Sequence, residues 1–243
     1  MNPRIEKELV QGKKIKDRAE DIWGWNSPAG MVRAERRANY FIKLGGILPD
    51  KDVLEIGCGT GVFTEKIDKT GAKITAVDIS NDLLDLAKRR VVQNCFFQKA
   101  NAHDLPYREL SFDTVIGSSV LHHLDVEVAV RELFRVLRYN GKLVFAEPNI
   151  LNPQVFLERK IAFLRPLCHV VPHETAFLRT SIKRLLENYG FIDVKVFPYD
   201  FLHPFVPEIG INIVNKIGFF LEKISFIKEI AGSLIIYGVK PKA

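Results

Sequence analysis

The sequence predicts an α/β fold built on a doubly wound, mostly parallel sheet, and three observations carry that prediction. From Asp52 onward, short apolar runs alternate with longer amphipathic stretches. Glycines follow the first apolar run, and the second run ends in an acidic residue, Asp78. Because each parallel pair of strands needs a crossover connection, strands that alternate with helices predict a sheet covered on both faces.

The individual elements follow from their periodicity, taken in chain order. Residues up to about Leu48 read as helices interrupted at residues 26–30. The predicted strands are residues 53–56, 73–78, 95–97, 112–116, 141–146, 191–197 and 234–239. The predicted helices are residues 63–69, 82–91, 127–137 and 181–189. Ser80 is expected to be the N-cap of the second of these helices, and Gly190 to end the last.

A late helical insertion carries an apolar face. Its members are Ile213, Val214, Ile217, Phe220, Leu221 and Ile224. The favoured interpretation is that this face packs on the edge of the sheet. The alternative is contact with a lipid or a membrane interface, helped by Lys216, Lys223 and Lys228. Because Glu208, Glu222 and Glu229 are interspersed, the sequence predicts at most a peripheral membrane contact.

Composition limits the class of protein. The 243 residues are 47% hydrophobic and 26% charged, which suits one α/β domain with a full core. The net charge of +6 could indicate nucleic acid or an anionic membrane, but basic and acidic residues are intermingled, as on a solvated surface. Three scattered cysteines indicate neither disulfides nor zinc. No apolar run approaches the roughly 20 residues of a spanning helix, so a soluble, cytoplasmic protein is expected.

The turn after the first predicted strand is rich in glycine and reads Glu-Ile-Gly-Cys-Gly-Thr-Gly over residues 55–61. Glycines there let the backbone approach a ligand closely, and amides at a helix start favour an anionic group. A dinucleotide fingerprint would need its third small residue at Val62, whereas the third glycine is Gly61. A carboxylate at Glu55 suits an ammonium group, and Asp78 can accept hydrogen bonds from two ribose hydroxyls.

This stretch resembles motif I of the class I S-adenosylmethionine-dependent methyltransferases, in the small-molecule group related to methyltransferase type 11. The resemblance extends from about Trp25 to Ile150. It implies a sheet ordered 3-2-1-4-5-7-6 with the last strand antiparallel, and S-adenosyl-L-methionine as cofactor. It implies that Asp78 binds the ribose and that Ile79 packs on the adenine. It also implies that the methionine portion is held by Glu55, Gly57, Cys58, Gly59 and Gly61.

Two later blocks resemble the same family. Asn101-Ala102 stands where the family usually has Asp-Ala, the Asp accepting from the adenine amine. Asn101 departs from that pattern, although its side-chain carbonyl could still accept the bond. Residues 118–124 resemble the loop that passes beside the transferable methyl. The resemblance therefore adds Asn101, Ala102 and Ser118 to the cofactor site.

Candidate catalytic residues lie at the carboxyl ends of the fourth and fifth strands. A sulfonium is already a strong electrophile, so a general base is needed only for a poorly acidic hydroxyl, an ammonium or an unactivated carbon. His122 and His123 are candidate bases, or could position the acceptor. The favoured interpretation is structural: they start a helix and hydrogen-bond to backbone. Glu147 either orients the substrate or pairs with a nearby arginine.

Two further groups have weaker assignments. A lid over residues 166–177 is expected, and it contains His169, His173 and Glu174. His173 and Glu174 could be half of a metal site, but two ligands without a third nearby do not indicate one, so no metal is predicted. Four residues near the N-terminus either close the cofactor pocket or belong to the core: Trp23, Trp25, Met31 and Tyr40.

Taken together, these patterns predict a single methyltransferase domain. Residues 1–48 form an N-terminal helical cap, residues 49–150 the cofactor-binding core, and residues 151–243 an acceptor-side lid with closing strands. The expected reaction is in-line methyl transfer to a small-molecule or lipid-like acceptor. A catalytically inactive cofactor-binding partner subunit is one alternative. A nucleic-acid methyltransferase is another, disfavoured because the signatures of base methylases are absent. Acceptor identity and oligomeric state are not predicted.

Overall fold

The computed structural model describes residues 3–91, 93–161 and 176–242. Its strands are β1 (Asp52–Ile56), β2 (Lys73–Asp78), β3 (Cys95–Lys99), β4 (Phe112–Ser118), β5 (Leu137–Pro148), β6 (Ile192–Tyr199) and β7 (Ser233–Val239). They form a seven-stranded sheet in the order β3-β2-β1-β4-β5-β7-β6. β7 runs antiparallel to both of its neighbours, and the pairs among β1 to β5 are parallel. The predicted fold class, strand order and antiparallel last strand are confirmed.

The helices cover both faces of this sheet. They are α1 (Pro3–Ile15), α2 (Ala19–Ile22), α3 (Pro28–Gly45), α4 (Val62–Asp68), α5 (Asn81–Arg90), α6 (Val126–Val136), α7 (Pro153–Lys160), α8 (Arg179–Asn188) and α9 (Glu208–Leu221). Ser80 caps α5 as predicted, because its hydroxyl accepts a hydrogen bond from the Leu83 N–H. The predicted interruption at residues 26–30 is too long. Helix α3 already begins at Pro28, since Ser27 caps it and proline is tolerated in a first turn.

The core consists of two apolar layers separated by the sheet. One layer packs α6 and α8 against the strands, with Leu133 and Leu186 fully buried. The other packs α3 and α4 against the opposite face, with Phe41 and Ile67 fully buried. Successive residues of a strand point to opposite faces, so a short apolar run such as β1 serves both layers. Buried strands read as continuous apolar runs for this reason.

Helix α9 does not pack as the sequence favoured. Ile213 and Ile217 are exposed, and Ile224 lies beyond the end of the helix. The buried residues of α9 are Ile211 and Gly218, and Ile211 packs on Ala29 and Leu202 rather than on the sheet edge. A one-residue offset rotates the buried stripe by about 100° around a helix. The amphipathic period was therefore correct, but the predicted face was wrong for Ile213, Ile217 and Phe220, whereas Val214 packs with Ile211.

None of the helices in the described ranges combines the length and the apolar character that crossing a bilayer requires.

Candidate cofactor and acceptor site

A cavity of about 390 Å³ opens at the carboxyl ends of β1, β2 and β4. Open α/β sheets bind their ligands at this edge. Its floor is formed by the turns after those strands, including Gly57, Asp78 and Ser118. Its sides come from the N-terminal cap through Trp23 and Trp25, from α4 through Phe63, and from α7 through Glu158 and Arg159. The cavity is thus shared between the predicted cofactor core and two elements outside it.

The glycine loop approaches its neighbours too closely for any side chain. Gly57 has a φ of +64°, and a Cβ on it would lie 2.5 Å from Cγ2 of Val120. Gly59 has a φ of +54°, and a Cβ on it would lie 3.2 Å from the ring of Trp23. Both positions require glycine on conformational and steric grounds. The loop therefore presents bare backbone to the cavity, which a ligand can approach closely.

Asp78 ties the glycine loop to the end of β2. Its Oδ2 accepts a hydrogen bond from the Gly59 N–H at 3.0 Å, and its Oδ1 accepts one from the Ser80 N–H at 2.8 Å. Burial raises the pKa of Asp78 above its usual value, although these backbone hydrogen bonds act against the rise. Each carboxylate oxygen has a second lone pair. Asp78 can therefore still accept hydrogen bonds from the hydroxyls of a ligand in the cavity that it lines.

Glu55 lies behind the loop and is not among the described residues that line the cavity. Its Oε2 accepts a hydrogen bond from Oγ1 of Thr64 at 2.6 Å, and the side chain is buried. Burial raises the pKa of Glu55 to about 8; the Thr64 hydrogen bond opposes this rise, and the nearby Asp78 carboxylate adds to it. The structure thus shows Glu55 bonded to Thr64, and its assignment to an ammonium group stays a prediction.

Thr60 supplies an unsatisfied polar group in the cavity wall. Its hydroxyl is buried, and among the residues that the structure describes nothing hydrogen-bonds to its Oγ1. Buried polar groups in folded proteins nearly always have a partner. Together with the bare backbone of the loop and the carboxylate of Asp78, this hydroxyl fits a ligand that carries an amino-acid portion and a ribose.

On the other side of the cavity, His122 and Glu147 form a buried pair. Nδ1 of His122 lies 2.7 Å from Oε2 of Glu147. The second carboxylate oxygen, Oε1, accepts hydrogen bonds from the N–H groups of Val120 at 2.9 Å and Leu121 at 2.8 Å. Glu147 therefore pairs with a histidine and two amides, and among the described contacts this replaces the arginine considered from the sequence.

The electrostatics of this pair fix its protonation state. Burial lowers the pKa of His122, the neighbouring His123 lowers it further, and the Glu147 carboxylate only partly opposes them. Burial alone would raise the pKa of Glu147, but the hydrogen bonds from His122 and from two backbone amides outweigh it and hold the pKa below its usual value. At neutral pH the imidazole is neutral and the carboxylate ionised. Nδ1–H then donates to Glu147, and Nε2 is the basic ring nitrogen.

His123 connects the cavity to the N-terminal cap. Its Nδ1 lies 3.0 Å from Oε1 of Glu8 on α1. Gly12 and Ile15 of the same helix also line the cavity, and a Cβ on Gly12 would lie 3.3 Å from Oγ of Ser80. Both histidines thus face carboxylates, in a short 3-10 turn at Leu121–His123 that precedes α6. The favoured structural interpretation expected backbone partners instead.

Arg37 on α3 is a buried residue that the sequence did not single out. Its guanidinium donates hydrogen bonds to the hydroxyls of Ser118 at 2.8 Å, Ser119 at 3.1 Å, Tyr199 at 2.9 Å and Ser233 at 3.1 Å. Because a guanidinium can only donate, it fixes which way the cavity-lining hydroxyls of Ser118 and Ser119 point. Ser119 is also held at a φ of 52°, a strained conformation for a residue with a side chain.

The residues predicted for the site divide into two groups, according to whether they line the cavity. Those that line the cavity are Gly57, Cys58, Gly59, Asp78, Ile79, Ala102, Ser118, His122, His123, Trp23 and Trp25. Those that are not among its described lining are Glu55, Gly61, Asn101, Glu147, Met31 and Tyr40. Oδ1 of Asn101 accepts a hydrogen bond from the His103 N–H at 3.0 Å, which places it in a local turn.

Of the two roles expected for the N-terminal residues, Tyr40 has the core role and Met31 has neither. Met31 is exposed, and Tyr40 packs edge-on against Phe197 and Tyr199 on the far side of α3. Pocket closure by these two residues is therefore wrong. The lid residues His169, His173 and Glu174 lie outside the described residues.

The residues missed by sequence reasoning are of two kinds. Arg37 and Glu8 reach the site through contacts with distant segments, whereas Thr60 and Ser119 lie inside the two blocks that resemble the family, at positions to which no role was assigned. For Thr60, its position inside the glycine loop was an available signal. For Arg37 and Glu8, no local pattern distinguishes them from other charged residues of a helix surface.

Comparisons with known proteins agree with this arrangement. A family model described as a methyltransferase domain matches residues 54–145. The demethylmenaquinone methyltransferase of Tropheryma whipplei is 28% identical over 187 residues, or 76% of this chain and 70% of the relative. The ubiquinone biosynthesis O-methyltransferase of Coxiella burnetii is 31% identical over 144 residues, or 56% of this chain and 60% of the relative.

A solved structure has the same fold over nearly the whole length. A protein of Thermotoga maritima described as an S-adenosylmethionine-dependent methyltransferase superposes with a TM-score of 0.63 at 20% identity. The match covers 95% of this chain and 99% of that protein. At this identity the likeness concerns the fold.

Proposed function

This chain belongs to the class I S-adenosylmethionine-dependent methyltransferases, and from that premise we propose that it methylates a hydroxyl on a ring-bearing, lipid-like small molecule. The observation that carries this proposal is that His122, which lines the same cavity as the glycine loop, is paired with the buried carboxylate of Glu147. Relatives named for demethylmenaquinone and for ubiquinone biosynthesis support a quinone-like ring as the acceptor class.

The cofactor fits one half of the cavity. We assign its methionine portion to the backbone of Gly57 and Gly59 and to the unsatisfied hydroxyl of Thr60. Asp78 would accept hydrogen bonds from the ribose hydroxyls, and Ile79 would contact the adenine. When bound, S-adenosylmethionine supplies an electrophilic methyl group on a sulfonium. The rest of the reaction then depends on how the chain's residues orient and deprotonate the acceptor.

His122 is proposed as the general base. Its Nε2 would take the proton from the acceptor hydroxyl, while Glu147 holds Nδ1–H and stabilises the imidazolium that forms. S-adenosylmethionine, once bound, would supply the methyl group to the deprotonated acceptor oxygen, and the electron pair of the broken carbon–sulfur bond would remain on sulfur. The lining aromatic rings of Trp25 and Phe63, which contact each other edge to face, offer apolar surface to a ring-bearing acceptor.

Turnover assays test the proposal. The chain is incubated with methyl-labelled S-adenosylmethionine and a panel of phenols and quinols of increasing tail length, and the labelled ethers are quantified. His122→Ala should lower kcat by roughly 10²- to 10⁴-fold, the range typical of a general base. Its Kd for S-adenosylhomocysteine should stay within about threefold of the wild type, because the glycine loop and Asp78 are unchanged.

His103→Ala is the matched control, because His103 is not among the described residues lining the cavity. It should retain the wild-type kcat. Full activity in His122→Ala would contradict the role of the base. Binding of S-adenosylhomocysteine without turnover of any acceptor would contradict the proposed function and support the catalytically inactive partner subunit instead.

A further inference from the structure

An apolar surface lies on the outward face of α9. Its members, called here the apolar patch, are Ile209, Ile213, Ile217 and Phe220 on the helix, with Phe205 before it and Phe226 after it. The spacing of four, four and three residues places the helical members on one face. Ile209 is 92% exposed, and Ile213 and Phe220 are each 63% exposed. Contiguous exposed apolar patches of this kind indicate an interaction surface.

The patch is not needed to hold α9 in place. The opposite face of the helix supplies its packing, through Ile211 and Gly218. Just after the helix, both carboxylate oxygens of Glu222 pair with the guanidinium of Arg36 on α3, at 2.8 and 2.5 Å. The helix is therefore anchored from its inner side, and its outer apolar face remains available for another surface.

Charge around the patch is predominantly basic. Lys216 and Lys223 are exposed beside it. Of the acids that weighed against membrane attraction, Glu222 is bound to Arg36, and Glu229 pairs with Arg179 at 3.3 Å. Because both acids are compensated by protein cations, they do not cancel the lysines. Glu208, at the start of the helix, is the acid of this group that remains exposed without such a cation among the described contacts.

We propose that α9 docks on an anionic lipid surface, with the apolar patch inserted at the level of the acyl-chain boundary and Lys216 and Lys223 at the headgroups. Apolar residues on one helix face and lysines beside them are the pattern of interfacial helices. A second copy of the chain is the weaker occupant. In a two-fold interface the same lysines would face each other across the contact. The net charge of +6 also favours an anionic surface.

The docking does not depend on the proposed reaction, although it would suit a lipid-like acceptor. Nε2 of Gln154 on α7 lies 3.0 Å from Nε2 of His203, two residues before the patch begins at Phe205. Glu158 and Arg159 of the same helix line the cavity. Docking through α9 would therefore bring one side of the cavity towards the lipid surface.

Vesicle co-sedimentation of the full chain tests the docking. The probes are phosphatidylcholine vesicles with and without phosphatidylglycerol, at low and high salt. The wild type should bind the anionic vesicles and dissociate as salt rises. The double variant Ile217→Ser with Phe220→Ser should lose at least about tenfold in partition coefficient, since two large apolar side chains no longer insert.

Phe96→Ser is the matched control. Phe96 is 62% exposed, like Phe220, but lies on the edge strand β3. It should bind vesicles as the wild type does.

A second double variant, Lys216→Glu with Lys223→Glu, should lose binding to anionic vesicles. It keeps the proposal testable if the serine variant misfolds. Equal binding by the wild type and both double variants would overturn the proposal. So would a wild-type dimer in sedimentation equilibrium that the serine variant dissociates. Turnover of a short-tailed acceptor is measured in parallel, so that loss of docking is distinguished from loss of the reaction.

Discussion

The two walls of the cavity are built in different ways. The donor wall comprises the glycine loop and Asp78, and the acceptor wall comprises Ser118, Ser119 and the His122–Glu147 pair. In the donor wall, Gly59 and Asp78 bond over 19 positions of sequence, between neighbouring strands. The acceptor wall depends on Arg37, which lies 81 positions from Ser118 and 162 from Tyr199. The donor wall is therefore held by contacts between segments close in sequence, whereas the acceptor wall is held by contacts between segments far apart in sequence.

This difference has an energetic consequence. The donor wall is mostly backbone, so ligand recognition there survives many side-chain changes. The acceptor wall contains a buried carboxylate that satisfies several donors at once. Removing one partner of a buried charged network leaves the others unpaired, which costs more than the network contributes. The acceptor wall should therefore be the more fragile of the two.

The largest expected effect comes from removing Glu147. Glu147→Leu leaves the N–H groups of Val120 and Leu121 and Nδ1–H of His122 without their acceptor. We expect the free energy of unfolding, measured in urea, to fall by about 3 to 5 kcal/mol. In Glu147→Gln, which keeps one acceptor oxygen, the free energy of unfolding should fall by clearly less. A free energy of unfolding of Glu147→Leu within about 1 kcal/mol of the wild-type value would show that the unpaired groups of the acceptor wall do not destabilise the fold.

The donor wall and the sheet could be predicted from sequence because their signals are local. Alternating apolar runs place the strands, and the spacing of the glycines directly after the first run identifies the loop. Ser80 marks a helix start through its side-chain hydroxyl, and Gly190 marks a helix end through its positive φ. In each case the residue's identity and its immediate neighbours determine the structure.

The acceptor wall could not be predicted in the same way. Glu147 was located correctly at the end of β5, but its partner depends on the parallel pairing of β4 with β5. Nothing near Arg37 in the sequence reveals that four hydroxyls from three other segments surround it. The predicted packing of helix α9 was wrong for a related reason. Periodicity identifies an apolar face, but it does not show whether another part of the fold packs against that face.

A smaller effect concerns Glu55, which supports the donor wall from behind. Its pKa of about 8 in the folded chain exceeds the ordinary value of 4.5. Between those values the folded state binds the proton that the unfolded state releases. Stability contributed by this group is therefore fully present below pH 4.5 and is lost as pH rises through about 8. We expect the unfolding free energy to fall by a few kcal/mol more in the wild type than in Glu55→Gln over that window.

Urea titrations at several pH values measure this slope. Thr64→Val should extend the fall to higher pH, because the Thr64 hydroxyl donates the hydrogen bond that lowers the pKa of Glu55. Identical slopes in the wild type and Glu55→Gln would contradict the raised pKa.

The Glu55→Gln variant also distinguishes two roles of Glu55, support of the glycine loop and contact with the ligand's ammonium group. Unchanged affinity for S-adenosylhomocysteine indicates support of the loop, whereas weakened affinity favours the ammonium contact that the family resemblance implies.

The smallest of these effects is expected at Asp78, where a side chain does contribute directly to the donor wall. Asp78→Ala removes the carboxylate proposed to accept the ribose hydroxyls, and each such charged hydrogen bond contributes roughly 1.5 to 3 kcal/mol. The loss of one such bond alone should raise the Kd for S-adenosylhomocysteine, measured by isothermal titration, by about tenfold to a few hundredfold. Asp82→Ala is the control, because Asp82 carries the same charge on α5 but pairs with Lys16 at the surface. If both variants bind equally well, the carboxylate of Asp78 supports the backbone amides around it and does not bind the ribose.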